Sequence, residues 1–463
     1  KVVKSMEENR TLEMQLGSEE TEFKREIGLF GGVSILGGIM IGGGIFYLGS
    51  YVLMRVGYSL GWALAAWVIG GLICLLGGLC FAELGAMMPK AGGMTIYLNI
   101  AYHPLVGFMC GFQSWLIGSP GSLSAGALAL CAMFSLEGTV GKIVATVILL
   151  AFTIFNLFGV KGGTILQNVT LIAKLVPIAI IMFGALFMGK VTPNLSFTPM
   201  DGPVDAGKLF GMIAFAAAAT LWAYEGWTNL NSVAEEIHNP KKNLPLSLII
   251  ATGGITILYT LFNFSIYRVL DLQTIRSLIE GGELYLGTVV SKQLFGAAGG
   301  ILVTVGMAIS SLGSVNGMTL AFARVPYSMA HEGHFFPGLG KLNKYKVPAN
   351  ALWCQFAIST ALIWIRSLDQ LTNLVVFGGQ IFNCLVIAAV LVLRKKMPNM
   401  ERPYRVWGGV VTVIITLAVN LATMINTAIE DPVTAVSGLA IPVIAAVVYF
   451  IFDKKLKKEG KKS

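Results

Sequence analysis

The chain alternates between long apolar segments and short polar ones. Twelve segments have about 20 or more mostly apolar residues, the length that crosses a hydrocarbon core of about 30 Å, and we number them spans 1 to 12. They cover approximately residues 29–56, 60–86, 96–134, 142–160, 164–189, 208–234, 246–270, 297–330, 349–366, 370–394, 405–427 and 433–453. None shows the strict alternation of a barrel strand. The pattern predicts an all-α membrane protein with twelve transmembrane helices.

Charged residues concentrate in the tails and loops. Hydrophobic residues make up 55% of the 463 residues and charged residues only 12%, which excludes an ordinary soluble domain. If the polar tail 1–28 is cytoplasmic, Lys90, Lys161 and Arg394 fall in inner loops and Asp369 falls in an outer loop. This positive-inside pattern predicts a multi-pass cell-membrane protein with both termini cytoplasmic. The net charge of +9 then reflects topology, and nucleic-acid binding is not expected.

The residue types that usually carry catalysis or metal binding are scattered. The six cysteines lie within or at the ends of apolar spans and show no CxxC spacing, so no disulfide framework is expected. His331 and His334 share a loop that lacks an HExxH motif. No cofactor, metal site or catalytic residue is predicted, which disfavours an intramembrane enzyme.

Two spans are interrupted in the middle of the membrane. Span 1 contains the consecutive glycines Gly42, Gly43 and Gly44, each of which destabilises a helix. Span 6 contains Glu225 followed by Gly226 in an otherwise apolar run. Close helix packing is the alternative explanation for the glycines, although three adjacent glycines lack the one-face spacing of a packing motif. Irregular backbone at this depth lines a cavity or is buried in protein, so both interruptions should face the bundle interior.

The interrupted spans are the first of two five-span units. This arrangement is the sequence signature of an inverted-repeat transporter with a site at the membrane midplane. The predicted organisation is a cytoplasmic tail (1–28), a transport core of spans 1 to 10 (29–394), spans 11 and 12 outside the repeat (395–453), and a basic cytoplasmic tail (454–463).

Interrupted backbone offers partners for both charges of a free amino acid. N–H groups at the start of a helix attract a carboxylate, and the predicted donors are Gly43 and Gly44, with Gly42 beside them. Carbonyl groups released where the preceding half-helices end accept from the ammonium group. The candidate acceptors are the carbonyls of Met40, Trp222 and Glu225.

Lys174 is the one lysine deep inside span 5. About 20 Å of helix separate it from the boundary residue Lys161, and an ionisable group at such depth is a functional candidate by default. Its ammonium group could pair with carbonyls of the interrupted span 1, as a bound metal cation would, which predicts sodium independence. The alternative is a lysine that reaches water along the helix.

Three further side chains are candidates with open alternatives. Trp222 is predicted to close over substrate as a gate, with ordinary packing as the alternative, and for Tyr224 the two interpretations are balanced. The Glu225 carboxylate could face a cationic substrate, an internal polar group, or the cytoplasmic half of the cavity. Tyr259 in span 7 could hydrogen-bond near the interruptions, although core packing is the favoured interpretation.

Four motifs and a weaker fifth resemble those of a known family. They are the glycine-rich Gly32–Phe46 in span 1, FAELGAMMPKAGGMTIYL at Phe81–Leu98, GVKGGTILQNVTLIAKL at Gly159–Leu175, LWAYEGWTNLNSVAEEIHNPKKNLP at Leu221–Pro245, and the weaker Gly313–Pro337. The chain resembles the amino acid, polyamine and organocation superfamily, and within it the L-type amino acid transporters, which include light subunits of heteromeric exchangers and their bacterial relatives. The similarity spans nearly the whole chain.

The resemblance implies a LeuT-type 5+5 inverted repeat, alternating access, and substrate held by the backbone of helices 1 and 6. Carried over by motif position, Gly43 and Gly44 bind the carboxylate, Met40, Trp222 and Glu225 accept from the amine, and Trp222 forms the outer gate. Lys174 takes the place of a sodium ion, and Tyr259 carries over more weakly.

The chain departs from the family pattern at three places. Gly43 stands where serine is frequent, so one hydroxyl is missing from the carboxylate site. The loop MFSLEGTVGK at residues 133–142 lacks the cysteine that links heteromeric light subunits to a heavy chain, which favours a bacterial plasma-membrane protein without a disulfide-linked partner. Glu225 resembles acidic variants of the motif, some of which accept cationic amino acids.

These observations predict a sodium-independent exchanger of neutral L-amino acids, with alanine, serine or cysteine slightly favoured. The alternative within the same fold is a transporter of cationic amino acids or polyamines, and a channel is the alternative outside it. The residues leave open whether protons are coupled to transport.

Overall fold

Helices and the turns between them make up nearly all of the described chain. The computed structural model describes residues 16–17, 25, 27–90, 93–158, 175–331, 335–345 and 347–458. Within these ranges the one β-type contact is a single bridge between Ile27 and Ile237. The predicted all-helical class is therefore confirmed.

The first half of the chain forms eight α-helices and one π-helical turn. In chain order the helices are α1 Leu29–Met40, α2 Gly44–Arg55, α3 Leu60–Met87, α4 Met94–Ala101, α5 Pro104–Gln113, α6 Ser119–Met133, α7 Gly138–Leu157 and α8 Leu175–Met188. The π-turn Ser114–Gly118 joins α5 to α6, so that these segments form one long membrane helix.

The second half forms nine more helices. They are α9 Ala206–Tyr224, α10 Pro240–Tyr267, α11 Leu272–Glu280, α12 Leu286–Phe322, α13 Arg324–His331, α14 Ala349–Ile365, α15 Leu368–Lys396, α16 Gly409–Glu430 and α17 Pro432–Lys458. Between α9 and α10 the chain follows a 3₁₀ path over Trp227–Glu236.

Helix lengths match a protein that crosses the membrane many times. Among the described residues, nine helical stretches are long and apolar enough to span a bilayer, and the bent pair α1 and α2 adds a tenth. Two shorter apolar helices, α8 and α14, fall within predicted spans 5 and 9. Large apolar side chains on the outside of the bundle, such as Val411 and Ile415 of α16, are exposed where lipid would cover them.

The predicted start of span 8 at residue 297 coincides with a break in α12. Gly296 has a non-helical φ of 70° and ψ of −170°, so that two helices meet there. The first of them starts at Leu286, outside the predicted span, and contains the polar residues Ser291, Lys292 and Gln293. Ser291 is buried, and its hydroxyl donates to the Gly287 carbonyl of the same helix at 2.7 Å.

The helices pack into two groups that meet at the interrupted segments. In the first group α3 lies along α10 and α9, and α1 lies along α10. In the second group α6, α7, α12 and α14 share a separate apolar cluster that includes Leu123, Leu149 and Val315. Helix α15 contacts α6 of the second group and α3 and α9 of the first.

Candidate functional site

The first interruption separates α1 from α2. Helix α1 ends at Met40, α2 begins at Gly44, and the two axes are bent by 57°. Ile41 closes the last turn of α1 and leaves the helix with a ψ of 88°. The first N–H groups of α2 have no preceding turn to donate to. The predicted break is therefore present in the backbone, with Gly42 and Gly43 half-buried and Gly44 buried.

The second interruption lies between α9 and the 3₁₀ segment. Helix α9 ends at Tyr224, Glu225 has a ψ of 140°, and Gly226 has a φ of 112°. Such a positive φ is a conformation that glycine adopts without steric cost. A Cβ at Gly226 would also strike Ile39 of α1. Glycine is thus required here both for the turn and for the close approach of the two broken helices.

Tyr259 of α10 connects the two interruptions. Its hydroxyl is 2.8 Å from the Met40 carbonyl oxygen and 3.1 Å from the Ala223 carbonyl oxygen. Its side chain is fully buried and its ring packs against Trp67 and Tyr224. Packing and hydrogen bonding, the two interpretations drawn from the sequence, therefore both describe this residue.

The Trp222 indole packs against Gly44. A Cβ on Gly44 would lie 3.1 Å from Trp222 Cδ1 and 3.3 Å from Nε1, closer than most side-chain contacts. The ring thus lies beside the start of α2, where the sequence predicts the carboxylate donors. Tyr224 is directed elsewhere, since its buried hydroxyl donates to the Trp67 carbonyl of α3 at 2.9 Å.

Helix α12 brings serines to the glycine break that the sequence interpretation did not single out. A Cβ on Gly43 would lie 3.3 Å from the Ser311 Oγ. The neighbouring Ser310 and Ser314 hydroxyls are buried and have no hydrogen-bond partner among the described residues. The signal was the small polar stretch SSLGS inside an apolar span. Ser311 thus places a hydroxyl beside Gly43, the position at which this chain lacks the serine hydroxyl that is frequent in the family pattern.

Two of the three predicted ammonium acceptors already accept a hydrogen bond. The Met40 carbonyl accepts from Tyr259, and the Trp222 carbonyl accepts from the Glu225 amide at 3.2 Å. Because a carbonyl oxygen has two lone pairs, each keeps capacity for a second donor.

The Glu225 side chain lines a cleft that is separate from the space between the interruptions. The cleft has room for about one water molecule. It is lined by residues of α3, α9, α15 and α16 together with Glu225 and Trp227, and no residue of α1 or α2 belongs to its lining. Glu225 therefore has internal polar groups beside it, one of the three environments left open by the sequence.

One end of the bundle is closed by Arg55, at the end of α2. Its guanidinium Nη2 is 2.8 Å from Asp369 Oδ1 and 3.0 Å from Asn373 Oδ1 of α15, and Nη1 donates to the Phe215 carbonyl of α9 at 3.0 Å. The same group stacks 3.8 Å from the Phe215 ring centroid. Ser50 adds a hydrogen bond to the Leu284 carbonyl at 2.8 Å. Arg55 was missed because a basic residue at a span boundary is unremarkable in sequence.

At the opposite end, Glu83 is buried in a cluster of arginines. Arg394 donates from Nε and Nη2 to the two carboxylate oxygens at 2.8 and 2.5 Å, and the Val406 amide donates at 2.8 Å. Arg402 Nε lies 3.7 Å from the same carboxylate. Glu83 is only 1% exposed. This cluster joins α3, the end of α15 and the connection to α16.

Lys174, the predicted cation substitute, lies outside the described residues. Within the ranges that are described, no three His, Cys, Asp or Glu side chains come together as metal ligands. The substrate-binding roles assigned to these residues from the sequence remain predictions.

Comparison with known proteins identifies the family. A sequence model described as amino acid permease matches residues 27–452. The serine/threonine exchanger SteT of Bacillus subtilis is 31% identical over 452 residues, which cover 95% of this chain and 99% of that protein. The human b(0,+)-type amino acid transporter 1 is 31% identical over 407 residues, 86% of this chain and 81% of that protein.

A third relative extends the comparison to another human protein. The human cystine/glutamate transporter is 28% identical over 458 residues, which cover 95% of this chain and 88% of that protein. These relatives are transporters or exchangers by name, and the resemblance drawn from the motifs is confirmed. The chain belongs to the amino acid permease family of the amino acid, polyamine and organocation superfamily, and it is a multi-pass membrane protein.

Proposed function

We propose that this protein is a sodium-independent exchanger that moves small neutral L-amino acids across a membrane by alternating access. The observation that carries the proposal is the meeting of two broken helices, held together by the Tyr259 hydroxyl. Free N–H groups at the start of α2 attract the substrate carboxylate. Carbonyl groups at the ends of α1 and α9 accept from the substrate ammonium group. A zwitterion at membrane depth needs both kinds of partner.

Gly43 and Gly44 are the proposed carboxylate donors, with Gly42 beside them. Their missing side chains let the ligand approach the backbone. Met40, Trp222 and Glu225 are the proposed carbonyl acceptors. Trp222 acts as the gate in this scheme, because its indole packs beside Gly44 and must move when a ligand occupies that position.

Alternating access requires that one end of the site be closed while the other opens. The Arg55 cluster supports this scheme, since it joins α2 to α9 and α15 at one end of the bundle. The two helix groups that meet at the interruptions are the proposed moving parts. In the proposed topology both termini are cytoplasmic, the Arg55 end faces outwards, and helices α1 to α15 form a LeuT-type inverted repeat within a total of twelve spans.

The proposed substrate range rests on the relatives and on the small residues at the site. A relative that aligns with 95% of the chain is named a serine/threonine exchanger, and small neutral side chains fit a site bounded by Trp222 and Ser311. Sodium independence rests on Lys174, which would supply a fixed cation. A plasma-membrane protein without a disulfide-linked partner is proposed because the loop at 133–142 has no cysteine.

Cationic amino acids or polyamines are the second candidate. Glu225 favours them, because a carboxylate close to the second interruption could pair with an additional positive charge. The cleft that Glu225 lines has no lining residue from α1 or α2, which favours neutral substrates instead.

Counterflow in proteoliposomes tests both candidates. Vesicles loaded with L-serine should take up labelled L-serine, and external L-alanine should compete while L-arginine should not. Uptake should be unchanged when choline replaces sodium, and it should fall to the level of protein-free vesicles when the lumen contains no amino acid. Stronger competition by L-arginine would select the second candidate, and efflux without acceleration by external substrate would indicate a channel.

A further inference from the structure

The cleft beside the second interruption has a polar lining in the interior of a membrane protein. Glu225 contributes a carboxylate, α15 contributes Gln380 and Asn383, and α16 contributes Asn420. Tyr224 and Trp227, on either side of the break, are buried, whereas the Glu225 side chain is exposed. Part of the accessible surface of Glu225 lines the cleft, whose free space admits a ligand about the size of one water molecule.

The Glu225 carboxylate has no cationic partner in the part of the chain that the structure describes. On the helices packed around the cleft, the described ion pairs belong to other carboxylates, Glu83 with Arg394 and Asp369 with Arg55. An ionised carboxylate at this depth is costly unless a positive charge or several donors stabilise it. Among the described residues, Glu83 and Asp369 have such partners and Glu225 does not.

The amide groups of the lining are arranged to offer oxygen atoms. The Gln380 Nε2 donates to Thr423 Oγ1 at 2.6 Å and to the Asn420 carbonyl at 3.2 Å. The Asn420 Nδ2 donates to the Thr416 carbonyl at 2.8 Å. Because these N–H groups are already used, Gln380 Oε1 is left to accept from a ligand, and the Asn383 amide has no hydrogen bond among the described residues. The lining therefore offers an oxygen atom to a hydroxyl donor such as a protonated carboxyl group.

The described residues of the lining carry little charge besides Glu225. Helix α3 contributes the Cys74 thiol, α15 and α16 contribute amides and an apolar side chain, and α9 contributes an apolar residue. Among these described residues, Cys74 is the one other titratable group and none is basic.

We propose that this cleft is a proton site, in which Glu225 is protonated when the amino acid site is empty and releases its proton when an amino acid binds. The neutral carboxylic acid donates its O–H to an amide oxygen of the lining or to a water molecule there. When the substrate ammonium group arrives at the carbonyls of the same interruption, it supplies the missing positive charge. The carboxyl group then gives its proton to water and becomes a carboxylate.

The coupling has a definite sign. Substrate binding favours the ionised form of Glu225, so by linkage the ionised form favours substrate binding. Affinity should rise as pH rises through the titration of Glu225 and become constant above it. This inference rests on the proposed function, and it adds a proton to the ligands that the transport cycle handles.

The test measures proton release and affinity on the full-length purified protein. In weak buffer with a pH indicator, saturating L-serine should release up to about one proton per protein molecule. The Kd for L-serine should fall by up to about tenfold per pH unit between about pH 5 and the titration midpoint. Glu225→Gln should abolish the release and give a pH-independent Kd, whereas Glu225→Asp should keep both effects.

A control variant and a second readout complete the experiment. Cys74→Ser removes the other titratable group of the lining and should leave proton release unchanged. Infrared difference spectra between wild type and Glu225→Gln without substrate should show the band of a protonated carboxylic acid, which requires no transport activity. Thermal unfolding of each variant checks that it is folded.

The outcomes separate this inference from the proposed function. If no neutral amino acid binds or exchanges, the proposed function fails, and the infrared band still decides whether Glu225 holds a proton. If L-serine binds without proton release, or if Glu225→Gln keeps the wild-type pH profile, the proton site is wrong. A requirement for sodium would also overturn the proton site. So would L-arginine binding that is independent of pH in the wild type and is lost in Glu225→Gln.

Discussion

The Tyr259 hydroxyl lies 2.8 Å from the carbonyl oxygen of Met40, the last residue of α1, and 3.1 Å from the carbonyl oxygen of Ala223, next to the last residue of α9. One side chain of α10 therefore occupies a carbonyl at each of the two broken helices. A buried carbonyl without a partner is costly at membrane depth, so this contact stabilises the interrupted backbone. It also sets the spacing between the ends of α1 and α9, whose neighbouring carbonyls are the proposed acceptors for the substrate ammonium group.

Tyr259→Phe should weaken substrate binding by about tenfold, because leaving a buried polar group unpaired costs about 1–3 kcal/mol. The ring and its packing against Trp67 and Tyr224 are kept. The measurement is the Kd for L-serine by thermal-shift titration, together with counterflow. Tyr267→Phe is the matched control, since Tyr267 is a buried tyrosine of the same helix whose hydroxyl has no partner among the described residues. Equal effects of the two substitutions would contradict the assigned role.

Gly44 should tolerate no larger side chain. Gly44→Ala places a Cβ 3.1 Å from Trp222 Cδ1, so the indole must shift and substrate affinity should fall by about tenfold, or about 1.4 kcal/mol. Gly44→Leu should abolish binding by covering the N–H groups at the start of α2. Gly37→Ala is the control in α1, since a Cβ there meets nothing within 4 Å. Retained affinity in Gly44→Leu, measured by thermal-shift titration, would exclude this backbone as the carboxylate site.

Lys174→Ala should leave the protein folded but reduce transport by more than about tenfold, because a fixed cation at membrane depth is removed from the interrupted helix it is predicted to support. The prediction rests on the sequence. Counterflow of L-serine measures this loss of transport. Lys190→Ala is the control, since Lys190 is an exposed lysine just after α8. Normal transport by Lys174→Ala would refute the idea that this lysine replaces a sodium ion.

Glu83→Gln should destabilise the protein by about 3–5 kcal/mol, because removing one member of a buried ion pair leaves the other charge uncompensated. Arg394 and Arg402 both lose their carboxylate. The change in Tm reports the effect. Glu401→Gln is the control, since Glu401 is 75% exposed in its pair with Lys241 and such a pair contributes less than about 1 kcal/mol. Similar Tm values for the two variants would contradict this prediction.

Local sequence signals were sufficient for several features. The length of each apolar run located the membrane helices, and the glycines at 42–44 and the Glu225-Gly226 pair located both interruptions. These features depend on hydropathy and backbone conformation, which neighbouring residues control. The predicted start of span 8 at residue 297 coincides with the break at Gly296, and the polar residues 291–293 excluded the preceding helix from the predicted span. The short helix α11 was not predicted, since it is too short for a membrane-length pattern, and α4 and α13 were predicted only as parts of spans 3 and 8.

The composition and order of the residues were enough to establish a membrane protein with two broken helices and to point to its family, because bilayer thickness and the need to pair every backbone polar group act on each segment separately. Which side chains complete the site depended on how the helices pack. Arg55 forms an ion pair with Asp369, which is 314 residues later in the sequence, and Glu83 forms one with Arg394, which is 311 residues later. The cleft that Glu225 lines likewise depends on the packing of α3, α9, α15 and α16. A linear pattern cannot encode such contacts, since they exist only once distant helices share one interface.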